Sequence, residues 1–232
     1  MAFFCPLSSA VVSGDFRLVA QLLLGGADNE NKQLRDDYTP LHLVTSYGRI
    51  DVFNLLMAHG AYVVARTYLG GTPIHVASAN LTRHKIAIVR ALLRHGAGIQ
   101  AKDVHGATPL HAAIGISSAQ GTKLLLDNEA SISDRHFYWC NALHWAIMIH
   151  GHGSGDENPR SHLLAANRRK AHSSKKVLQT LLAHGTDCHS KIANLNAMTD
   201  DGETLIEVAE DEETKEELRA ALTRAEAQRH HT

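Results

Sequence analysis

The sequence predicts an all-α fold, a solenoid of about six helix–turn–helix units stacked in one dimension, and three observations predict it. The segments Thr39-Pro40-Leu41-His42, Thr72-Pro73-Ile74-His75 and Thr108-Pro109-Leu110-His111 repeat one motif, with Val44, Ala77 and Ala113 five residues after each threonine. With looser copies at Cys5, Asn141 and Thr204, the anchors lie 34, 33, 36, 33 and 63 residues apart, close to one period in four of five steps. A residue at a fixed offset closes the copies: Gly26 and Gly60 stand 21 residues after their anchors behind apolar pairs, and Glu129 holds that place in the fourth unit.

Each part of a unit reads as a physical element. Threonine before proline starts a helix, because its hydroxyl accepts an orphan N–H and proline in the first turn gives up no hydrogen bond. Leu41 and Val44 follow at helical spacing, and after a turn at Gly48 a second apolar set, Val52, Leu55 and Leu56, marks a second helix. Gly60, Gly96 and Gly185 suit a left-handed residue closing that helix, and Asp103-Val104-His105-Gly106 suits a turn into the next unit. In the third and fifth copies the glycine comes 24 and 44 residues after its anchor, yet Leu92-Leu93 and Leu181-Leu182 still precede it, so the excess reads as insertion between helices. The remaining copies are Cys5-Pro6-Leu7 with Ala10, Asn141-Ala142-Leu143-His144 with Ala146, and Thr204-Leu205-Ile206 with Ala209.

These residues resemble the ankyrin repeat, whose T-P-L-H-x-A signature and 33-residue period they share over about residues 3–222. The resemblance implies one domain over residues 1–232, with units at about 3–28, 29–62, 63–98, 99–131, 132–187 and 195–222 and a tail at 223–232. It implies paired antiparallel helices with β-turn or hairpin fingers, sharing one continuous core because no unit buries its apolar face alone. It also gives structural roles to Thr39, Pro40, His42, Thr72, Pro73, His75, Thr108, Pro109, His111 and His144 at the helix starts, and to Gly60, Gly96 and Gly185 at the helix ends.

The pattern departs from regularity in three places. An insertion of about 151–170 lies in the fifth unit and ends in the basic Arg168-Arg169-Lys170. A smaller one, about 188–194, lengthens the turn before the sixth. The final helix carries a run of acidic residues from Glu210 and reads as a solvated cap.

Little in the chain points to chemistry. Seven of the 17 histidines fall on repeat positions, and of the other ten His150, His152, His162 and His172 cluster around the insertion. A zinc-dependent activity there is the remote reading, since no cysteine or carboxylate accompanies them at metal-site spacing. Gly151-His152-Gly153-Ser154-Gly155 is followed by no Gly-Lys-Ser/Thr, and His152 stands where a nucleophile elbow needs glycine. The expectation is a protein without catalytic residues, bound metal or cofactor.

Composition narrows the partner. Lys+Arg 23 against Asp+Glu 24 leaves a formal charge of −1, with no field to draw nucleic acid or an anionic membrane. No run of about 18 apolar residues could span a bilayer. Cys5, Cys140 and Cys188, odd in number and far apart, favour a reducing compartment, so the expected location is cytoplasmic, nuclear or both.

The expected function is that of a monomeric scaffold or adaptor binding a protein or peptide on its concave ankyrin surface. The alternative is a substrate-recognition or targeting module of a larger multidomain protein such as an E3 ligase, receptor or enzyme. By offset from the anchors, the contact residues are Tyr68, Leu69, Val104, His105, Phe137, Tyr138 and Trp139 on the fingertips and Ile116 and Met148 on the first helices. Phe137-Tyr138-Trp139 holds three of the 12 aromatic rings where polar turn residues are usual, which makes it the sharpest feature of this surface.

Overall fold

The computed structural model describes residues 6–25, 37–79, 83–136, 140–151, 171–184, 195–199, 201–209 and 211–229. These hold twelve helices and no strand, and one isolated bridge joins Met198 to Thr204. The all-α class expected from the repeat is the class found. Gly185, Phe137, Tyr138, Trp139 and almost all of the 151–170 insertion lie outside the described residues.

The chain divides into two compact units, Met1–Ala112 and Ala113–Thr232. In the first, α1 (Pro6–Ser13) pairs with α2 (Phe16–Leu24), α3 (Pro40–Tyr47) with α4 (Ile50–Ala58), and α5 (Pro73–Ser78) with α6 (Arg83–Arg94). First helices stack in the order α1, α3, α5 and second helices in the order α2, α4, α6. The core follows from the sequence phase: Leu41, Val44, Val52, Phe53, Leu56, Ile74, Ala77, Ile88, Val89 and Leu92 are buried.

Helix α7 (Pro109–Gly115) runs across the division. In the second unit, α8 (Ala119–Leu126) packs on α10 (Ala171–Ala183), α9 (Ala142–Gly151) on both α10 and α11 (Leu205–Val208), and α11 on α12 (Glu212–Arg229). In sequence, residues 152–170 separate α9 from α10.

Helix ends are set by residues at fixed offsets. At the close of α1, α3 and α7, Asp15, Arg49 and Ser118 donate backbone N–H bonds of 3.1, 3.2 and 3.1 Å to the carbonyls of Ala10, Val44 and Ala113. This six-to-one closure needs a left-handed residue one place earlier, and Gly14, Gly48 and Ser117 have φ of 75°, 76° and 55°. Second helices close the same way at Gly60, Gly96 and Glu129, with φ of 84°, 82° and 67°. Glu129 thus performs the glycine's turn without the glycine.

One reading needs refinement. The three extra residues of the third unit were expected between the helices, but part of that length has become helix. Lys85 precedes Gly96 by the same 11 residues as Arg49 precedes Gly60, yet Arg49 caps α4 while Lys85 sits two residues inside α6.

Candidate protein-binding surface

The fingers are turns locked by their own side chains. Thr67 and Gly71 exchange a bond from Thr67 N–H to Gly71 O at 2.9 Å, and Asp103 repeats it toward Ala107 at 3.0 Å and Thr199 toward Glu203 at 3.0 Å. At each of these first positions an oxygen side chain also accepts a backbone N–H. Thr67 Oγ1 accepts from Gly71, Asp103 Oδ1 from His105 and Ala107, and Thr199 Oγ1 from Glu203. Gly70, Gly106 and Gly202 then take φ of 73°, 75° and 77° to turn the chain back, and Asp37 at 60° does so at the same offset.

The two fingers of the first unit are tied together. Val104 N–H donates to Leu69 O at 3.0 Å. Arg66 Nη1 donates to Gly70 O of its own finger at 2.9 Å and to Lys102 O of the next at 2.8 Å. A β-carbon on Gly70 would meet Val104 N at 3.0 Å, so glycine allows the close approach as well as the turn.

His42 and His75 each fasten the following finger to a first helix. Thr39 N–H donates to His42 Nδ1 at 3.1 Å, which makes Nδ1 an acceptor and leaves Nε2–H to donate to Gly71 O at 3.2 Å. The same arrangement recurs at Thr72 and His75, with Nε2 against Ala107 O at 3.0 Å. Thr108 and His111 repeat the near-side bond at 3.3 Å. In the fifth repeat Asn141 replaces threonine, and its Oδ1 accepts from Leu143 and His144 N–H, both at 3.1 Å. Burial pulls the His42 and His144 rings down to about 4 and lowers His75 as well, partly opposed by neighbouring backbone carbonyls. The neutral ring is the form that the bonding requires. At Thr204 the capping residue is Glu207, whose Oε2 accepts from Thr204 N–H and Oγ1–H, each at 2.7 Å.

On this frame the first unit carries apolar residues outward. Tyr68, Leu69 and Val104 are 75%, 54% and 61% exposed at adjacent fingertips, and His105 is exposed beside them. Tyr47, at the end of α3, is also exposed. Among the contact residues read from the sequence, Tyr68, Leu69, Val104 and His105 are brought together by the finger-to-finger bond.

In the second unit Ile116 is half-buried and Met148 is buried at 8% exposure. Met148 therefore corrects the expectation of an exposed contact. Its position is one helical turn beyond the capping histidine, where Ser46, Ala79 and Gly115 are small; the longer methionine folds in until Cys140 Sγ lies 3.7 Å from its sulfur. Cys140 is itself buried.

Three features were not legible from offsets alone. Tyr62 and Val64, exposed in the first unit, follow the α4 closing glycine, and apolar residues in a turn are the signal for them. Trp145 stands edge-on to His136 with ring centres 4.7 Å apart and comes within 3.6 Å of where a Gly115 β-carbon would sit. Among described side chains, no group of three histidine, cysteine or acidic residues could hold a metal ion. The expected zinc cluster of His150, His152, His162 and His172 lies outside those side chains.

Residues 7–103 match the family model for ankyrin repeats, with three copies. This segment of the chain is built of ankyrin repeats. The chain is 42% identical over 71 residues to the mouse 2-5A-dependent ribonuclease and 40% identical over 72 residues to the human one, each alignment covering 31% of this chain and 10% of the relative. It is 30% identical over 83 residues to the mouse nuclear factor NF-kappa-B p105 subunit, covering 35% of this chain and 8% of that protein. The chain thus aligns with about a tenth of the length of these curated relatives. Ankyrin repeats are protein–protein interaction modules, and among the described residues no helix is long and apolar enough to cross a membrane.

Proposed function

We propose that this protein is a non-catalytic adaptor that binds a protein or peptide across its fingertips and the exposed side of its first helices. The observation that carries the reading is the exposure of Tyr68, Leu69 and Val104 on two fingers held together by the Val104–Leu69 and Arg66 bonds. Loop tips ordinarily carry polar residues, and rigid apolar anchors on a fixed frame lose little entropy when a partner covers them. Phe137, Tyr138, Trp139 and Ile116 are proposed from the sequence as further contact residues, and Met148 is left out because it is buried. The reading places the protein in the cytoplasm, the nucleus or both.

The test is affinity capture with wild type and a Tyr68→Ala, Phe137→Ala, Tyr138→Ala triple variant. Partners lost by the variant at unchanged helical circular dichroism support the surface; retention of every partner overturns it.

A second reading follows from the relatives, each matched over about a tenth of its length. In it the repeats serve as the recognition or targeting module of a larger multidomain protein. A transcript that continues in frame into another domain supports this, and a mature transcript encoding the repeats alone excludes it.

A further inference from the structure

A second feature lies within the second unit, where α12 packs. The inward side of α12 is held at its start: Glu217 forms an ion pair with Lys175 at 3.6 Å and accepts from Gln179 at 3.4 Å, and Glu213 also pairs with Lys175. Leu218, fully buried, fills the contact at that level. Further along, the inward residues shrink to Ala221 and Ala225, and a cleft of about 430 Å³ opens between them and Leu181, Leu182 and Leu143. That size lies within the range of small-molecule sites, roughly 300–1,000 Å³.

The charges at the cleft are unequal in their pairing. Glu217 is engaged by Lys175 and Gln179, and His184 Nε2 lies 3.0 Å from Asp127 Oδ1. Arg224 also lines the cleft, and its one hydrogen bond among described residues is from Nε to Ala220 O of its own helix at 3.0 Å. No carboxylate pairs with its guanidinium among those residues. Leucine and alanine side chains lining the cleft, together with Gln179, Gln228 and a guanidinium that pairs with no carboxylate among the described residues, are complementary to a ligand with a hydrocarbon body and a single anionic head.

We propose that this cleft binds a small amphipathic carboxylic acid, with its chain on the leucine and alanine side chains and its carboxylate on Arg224. The site shares no residue with the fingertip surface and stands whether or not that surface binds a protein.

Octanoate, titrated calorimetrically into the full chain with octanol as neutral control, tests it. Octanoate should bind saturably to one site, with Arg224→Gln weakening it about ten-fold while leaving octanol unchanged. Ala221→Leu, which fills the cleft, should abolish the binding of both. Because Arg224 is exposed, its substitution does not threaten the fold, and it decides the matter alone if Ala221→Leu fails to fold. No saturable binding up to about 5 mM, or equal octanoate affinity in wild type and Arg224→Gln, overturns the proposal. So does octanoate binding that persists in a folded Ala221→Leu variant.

Discussion

At the scale of single residues, the capping histidines tie stability to pH. An unfolded histidine titrates near about 6.5, whereas burial holds His42 and His144 at about 4 in the fold. Between those values the unfolded chain binds protons that the folded chain refuses. The contribution is therefore complete above about 6.5 and is lost as pH falls toward about 4. At pH 5 each ring should cost on the order of 2 kcal/mol relative to neutral pH, read as a lower urea midpoint. His42→Gln should flatten the slope by one proton, and an unchanged slope would refute the assignment. Glu129 carries a separate strain: with φ of 67° in a place that suits glycine, Glu129→Gly should stabilise the protein by about 0.5–1 kcal/mol in chemical denaturation.

At the scale of elements, closing turns differ in what surrounds them. Gly96 at φ 82° has open space where a β-carbon would go, so Gly96→Ala meets only the backbone penalty of about 1 kcal/mol. Gly70 at φ 73° faces Val104 N at 3.0 Å, so Gly70→Ala must also push two fingers apart and should cost about 2 kcal/mol or more. Equal losses in the two variants would argue against the finger contact.

Helix starts were legible in sequence because threonine, proline and histidine at fixed spacing leave the backbone one economical way to satisfy its first N–H groups. Met148 was misplaced because offset gives the direction of a side chain and not its reach. The ties from Arg66 could not be read at all, since they join carbonyls 4 and 36 residues away and carbonyls have no sequence identity.

At the scale of the whole molecule, the period located the repeats, whereas the proposed contact surface rests on residues that break the pattern. Tyr68, Leu69 and Val104 stood out because apolar residues occupy turn positions that the fold leaves unconstrained. Replacing all three by alanine should weaken partner binding by upwards of about 2 kcal/mol, a thirty-fold change in dissociation constant, with the urea midpoint nearly unchanged. The Glu207 cap has its own consequence for how repeats are joined. The buried imidazoles of His42 and His75 each receive a proton-bearing group on one side and offer a proton on the other, so they work as two-ended connectors. A carboxylate only receives, and a repeat grafted behind Thr204 would find no ring to grip its first carbonyl; Glu207→His would be the change that makes the array extendable.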